Sequence, residues 1–186
     1  MKKFLLATLL ALSALTAQAA DRGFVTLEYE HEGLHGSNTN VNSFNILPGI
    51  KLDNGFTIDL KTQIQTKTGE QTTSANLEPR VRYDYDLGPL TVWGRLGVGE
   101  KFADADHFAY YTVEPGVSLK LTKEATVFVS DRYRDSFSDG KDYQTNTIYA
   151  GGSYALTNTD TVAAKVYRKY EDTESQGLEV AYTRWF

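Results

Sequence analysis

Residues 77–87 read LEPRVRYDYDL, and the order of apolar and charged residues in this stretch decides the fold. Leu77, Val81, Tyr83 and Tyr85 fall on one face, while Glu78, Arg80, Arg82, Asp84 and Asp86 fall on the other. A repeat of two is the side-chain period of a β-strand, and an α-helix would scatter these residues around its axis. Outward from this stretch the same alternation recurs. Before it lie 23–30, 43–52 and 56–65; the stretch itself extends to 75–87. After it come 90–99, 108–121, 125–134, 145–156, 161–170 and 178–186. Ten strands are expected, with eight or twelve as the neighbouring even counts. Asp131, Arg168 and Arg184 stand on the apolar face against the pattern, and Asp131 is the expected site of a bulge or of a strand that has reached the rim.

The connections alternate in length. Asp53-Asn54-Gly55, Gly88-Pro89, Thr122-Lys123-Glu124 and Thr157-Asn158-Thr159-Asp160 are tight turns of suitable composition. Between them fall longer polar stretches at 31–42, 66–74, 100–107, 135–142 and 171–177. Short turns at one end and longer loops at the other are the arrangement of a bacterial transmembrane barrel. Aromatic residues on the apolar face gather near the strand ends. Phe56, Tyr83, Tyr85, Tyr154, Tyr182 and Phe186 lie on the turn side, and Tyr29, Tyr111, Tyr133 and Tyr170 on the loop side. Two such girdles around an aliphatic band match the two headgroup levels of a bilayer. A soluble sandwich would bury the apolar face against a second sheet and has no use for the girdles. The expected fold class is therefore all-β, a transmembrane antiparallel up-and-down β-barrel.

Residues 1–20 read as an export signal: Lys2 and Lys3, an apolar run from Phe4 to Thr16, and small residues around a cleavage point near Ala19 or Ala20. Residues 21–186 are the expected barrel domain, placed in the outer membrane of a Gram-negative cell. Without Lys2 and Lys3 the chain has 17 basic against 24 acidic residues, a net charge of −7, which argues against a nucleic-acid partner. The chain has no cysteine, so disulfides and thiolate metal sites are excluded. No cofactor or metal is implied. The apolar final strand ending on Phe186 is expected to address the barrel-assembly machinery, with outer-membrane lipid around a barrel that is monomeric.

The second face points into the lumen and is densely charged. Its basic members include Arg80, Arg82, Arg95, Arg132, Arg134 and Lys165, and its acidic partners include Glu28, Glu114 and Glu179. Two readings follow. The charges either pair across neighbouring strands and fill a solid, closed barrel, or the arginines form a basic wall that selects small anions. Three features, Asn54-Gly55-Phe56, Leu121-Thr122-Lys123 and above all Arg132-Tyr133-Arg134, together with the order of segments, resemble the oligogalacturonate-specific porins, small monomeric barrels that pass acidic oligosaccharides. That resemblance implies a sugar-acid track through Arg132 and Arg134, extended to Arg80, Arg82 and Arg95. It also implies twelve strands where ten are counted, and so a narrower lumen. The expected function is passive diffusion of small anionic solutes or acidic oligosaccharides, with no enzymatic activity.

Two alternatives remain: a closed structural or adhesive barrel, and a hydrolase acting at the rim. The second would draw on His31 and His35 in the first loop, Asp104, Asp106 and His107 in the third, and Ser136.

Overall fold

The structure, a computed structural model, describes residues 22–34, 40–68, 73–103, 106–138, 140, 143–171 and 174–186. The export signal, His35 and Asp104 lie outside the described residues. Ten antiparallel strands follow in order: β1 (Arg22–Leu34), β2 (Asn40–Lys51), β3 (Phe56–Lys67), β4 (Thr73–Leu87), β5 (Leu90–Ala103), β6 (Asp106–Lys120), β7 (Ala125–Ser136), β8 (Thr145–Ala155), β9 (Asp160–Tyr170) and β10 (Ser175–Trp185). Each pairs with its neighbours in sequence, and β1 pairs with β10 to close the sheet. Closure matters in lipid, where an open strand edge would leave its backbone groups without partners.

The register fixes the size of the barrel. Following the register from Arg22 through Lys51, Thr57, Arg82, Arg95 and Glu114, and on through Arg132, Thr147, Lys169 and Ser175, the path returns to β1 at Leu34. That is a stagger of twelve residues for ten strands. It sets a strand tilt of about 40° and a backbone radius of about 10 Å. The four turns close as their composition predicts. Gly55 (φ 89°) and Gly88 (φ 72°) take the left-handed conformation that other residues resist. The hydroxyls of Thr122 and Thr157 accept the backbone N–H groups of residues two and three positions on.

Period two holds around the whole wall. Leu27, Ile58, Val81, Leu96, Val117, Val129, Val166 and Val180 point outward and are exposed, with Leu96 62% accessible at mid-height. Leu96→Arg is expected to cost about 2–4 kcal/mol, the penalty for a lipid-facing cation at the midplane. Urea unfolding of the barrel in lipid vesicles measures it, and an unchanged midpoint would remove Leu96 from the hydrocarbon.

The two misplaced arginines have partners. Arg184 grips Asp160 through both carboxylate oxygens (2.7 and 2.9 Å), and the Tyr182 hydroxyl donates to the same Asp160 (2.6 Å). Arg168 pairs with Glu174 at 2.6 Å. Asp131 forms no bulge: Ser130 and Arg132 keep their partners Tyr149 and Thr147, and Asp131 simply faces outward opposite Ile148. Interruptions occur instead at three prolines, of which Pro79 and Pro115 are exposed and Pro48 is buried. Pairing drops out beside Pro48 between β2 and β3, beside Pro79 between β4 and β5, and beside Pro115 between β6 and β7, then resumes in the same register. Proline has no N–H to give to the ladder.

The strands also run further toward the loop end than the alternation predicts. His31 belongs to β1 and His107 to β6, so neither stands in a loop. Beyond the bilayer both faces of a strand meet water, and the apolar-polar contrast that marks a strand in sequence disappears there.

Candidate functional site: the lumen

All the lumen-facing residues singled out from sequence project inward, but most are committed to a partner. Arg80 meets Asp59 at 2.6 Å, both almost fully buried. Arg95 meets Glu114 at 3.0 Å, and Glu114 also accepts the Ser130 hydroxyl at 2.8 Å. Lys165 meets Glu179 at 2.8 Å. Glu28 takes the Asn45 amide at 3.1 Å, while the register partner of Glu179 across the β1–β10 seam is Glu30. Arg82 meets Asp84 at 2.6 Å, and Lys51 shares that carboxylate at 3.1 Å. Arg132 lies in the field of Glu78, Glu114 and the Tyr149 and Tyr110 rings. Lys51 and Asp84 lie at the turn end, beside Gly55; the others form a charged layer across the middle of the barrel.

Above that layer, toward the loops, the lumen is filled. Tyr110 is 1% exposed and Glu78 2%; the Tyr110 hydroxyl and the Thr112 hydroxyl (2.6 Å) both donate to Glu78. Tyr143, on the segment leading into β8, lays its ring 3.9 Å below the guanidinium of Arg134 and 4.9 Å from the Lys101 ammonium. Phe108 and Tyr110 flank the same ring at 4.8 and 5.4 Å. On the far wall Lys169 meets Glu32 at 2.6 Å, and the Tyr167 hydroxyl donates to that carboxylate. Asn45, Gln63, Asn76, Thr145, Thr147 and Ser175 are buried between these groups.

Below the layer, toward the turns, the lumen is open. A cavity of about 510 Å³ extends from the charged layer to the turn end. Seven cationic side chains and five carboxylates line it, along with the rings of Phe24, Trp93, Phe128 and Trp185. Small side chains line it as well: Ser153, Ala163, Ala181 and Thr183.

The inward rings are what a reading of the sequence for charge passes over. Four of them are register partners of glycine: Phe24 with Gly49, Tyr110 with Gly99, Trp93 with Gly116 and Tyr167 with Gly177. At Gly99 and Gly116 a Cβ would collide with the facing ring, so the ring lies flat across the neighbouring strand because its partner has no side chain. The signal was present in the parity of each strand, because Trp93 and Tyr110 occupy the same alternate positions as Arg95 and Glu114.

Among the described residues, His31, His107 and Ser136, considered for rim hydrolysis, are not brought together. His107 faces outward and pairs with Glu100 at 2.7 Å, whereas Ser136 is the register partner of inward Tyr110. His31 faces outward against Asn42 at 2.8 Å. No group of three or more His, Cys, Asp or Glu among the described residues is spaced to hold a metal.

Ten tilted antiparallel strands, an apolar exterior and a charged interior define a transmembrane barrel of the bacterial outer-membrane type. Solved structures of that type superpose on it. An outer-membrane channel from Pseudomonas putida F1 aligns with a TM-score of 0.56 at 12% identity, covering 90% of this chain and 95% of its own. The KdgM porin, solved in complex with disordered oligogalacturonate, aligns at 0.50 and 14% identity, over 87% of this chain and 99% of its own. The translocator domain of the autotransporter NalP from Neisseria meningitidis aligns at 0.54 and 11%, over 98% and 95%. At these identities the likeness is one of fold. No protein-family model and no curated protein matches the chain.

Proposed function

We propose that this chain is a monomeric outer-membrane channel of small conductance for small anionic solutes, exported by its N-terminal signal and inserted by the assembly machinery through the strand ending at Phe186. The carrying observation is the excess of seven cations over five carboxylates around the lumenal cavity, where a low dielectric amplifies a difference of two charges. Whole oligosaccharides fit this lumen poorly, because side chains occupy its loop-side half. Arg82, Arg95 and Arg132 act as the anion-attracting wall of the cavity, and Arg134 stands at the approach from the loop end. Asp84 and Glu114 pair with Arg82 and Arg95, and Glu179 with Lys165, when no anion is present.

Recording in planar bilayers tests the reading. Purified protein is expected to give small current steps with a reversal potential favouring anions. Arg134→Glu is expected to lower the anion-to-cation permeability ratio severalfold, since it places an acid on the approach to a basic cavity. Arg132 is a worse position for charge reversal, because a carboxylate there would join Glu78 and Glu114. A closed structural barrel is the second reading, favoured by the filled loop-side half. Repeated insertions without current would establish it.

A further inference from the structure

We propose that the cavity at the turn end is a binding site for a flat ring compound bearing one carboxylate, an aryl carboxylate in the simplest case. Two features lead there, and neither requires that the barrel conduct. The first is a pair of under-used guanidinium groups. Arg82 and Arg95 are register partners on β4 and β5, so both project into the lumen at one level. Each has five N–H donors. Among the described residues Arg82 gives its Nε to Asp84 and Arg95 gives Nη1 to Glu114, which leaves the Nη2 group of each without a protein partner. Two like charges side by side, with donors to spare, form a receptor for a carboxylate, which each fork can grip bidentately.

The second feature is the shape and chemistry of the remaining space. The ring of Trp93 lies under both guanidinium groups, 3.9 Å from that of Arg82 and 5.5 Å from that of Arg95, and is held there by an indole N–H bond to Ser118 at 2.9 Å. Phe128 lines the cavity beside it, and Phe24 packs against Trp185 at 5.0 Å nearer the mouth. Ala163 and Ala181 line the same cavity with side chains too small to fill it. The volume falls within the range of small-molecule sites. Aromatic rings at the entrance and cations at the floor order a ligand by polarity, with carboxylate inward and ring in the mouth.

Both tryptophans of the chain line this cavity, so its occupancy is readable from intrinsic fluorescence. Titration of the folded protein in detergent with 4-nitrobenzoate is expected to quench that fluorescence saturably. The uncharged 4-nitrobenzyl alcohol is expected to bind about tenfold more weakly, the worth of one charge-assisted contact. Arg82→Gln and Arg95→Gln are each expected to weaken 4-nitrobenzoate by about tenfold. Arg82→Lys keeps the charge, loses the fork, and is expected to fall between. Equal quenching by acid and alcohol, in the native protein alone, overturns the proposal whatever the variants do. Tighter competition by galacturonate than by benzoate overturns the assigned ligand class. Saturable quenching without bilayer current would remove the channel and leave this site standing, and current without quenching would do the reverse.

Discussion

Bilayers holding the Tyr110→Ala/Tyr143→Ala double variant are expected to show current steps severalfold larger than those of the native protein. The two rings stand 5.4 Å apart across the loop-side lumen, and Tyr143 also pins Arg134 and Lys101 against itself. Their removal deletes the bulk that closes this half and frees two cations to line the opening. Tyr143→Ala alone is expected to give part of the increase, because Tyr110 remains anchored to Glu78. The effect is one of cross-section, so ion preference should change less than current. Single-channel recording separates the two quantities. Steps of native size from the double variant would place the constriction elsewhere, in the charged layer itself.

Glu78→Leu is expected to carry the largest cost in stability, about 3–5 kcal/mol, the range for removing one partner from a buried charge pair. Glu78 is 2% exposed, accepts hydroxyls from Thr112 and Tyr110, and lies in the field of Arg80, Arg132 and Lys61. Leucine would leave those cations without a shared counter-charge in a space that water reaches poorly. Glu78→Gln retains an acceptor for Thr112 and is expected to cost less than Leu. Urea unfolding of refolded protein gives both values. A loss under about 1 kcal/mol for both variants, the level of an exposed ion pair, would mean that the layer is well hydrated.

The wall of the barrel was legible in sequence and its contents only partly so. Parity is strict in a closed sheet under lipid, so stretches such as 77–87 reveal strand, facing and turn together. The same rule fails above the bilayer, which is why His31 and His107 read as loop residues although they continue β1 and β6. Inward charges such as Arg95 and Glu114 stood out because lipid excludes them from the other face. Trp93 and Tyr110 did not, because an aromatic residue suits a membrane girdle as well as a lumen, and only its parity tells the two apart. The pairing of these rings with Gly116 and Gly99 depends on register, which no single strand contains. The closing of the loop-side half lies further still from sequence, since Arg134 and Tyr143 meet across a connection rather than along a ladder.

The three prolines at Pro48, Pro79 and Pro115 interrupt alternate seams at nearly one height, level with the central charges. A hooped vessel that omits fastenings from every other joint at its waist is most compliant there. In this barrel the girth that sets the reach of Arg80, Glu114 and Arg132 across the lumen is governed by its least tightly stitched course.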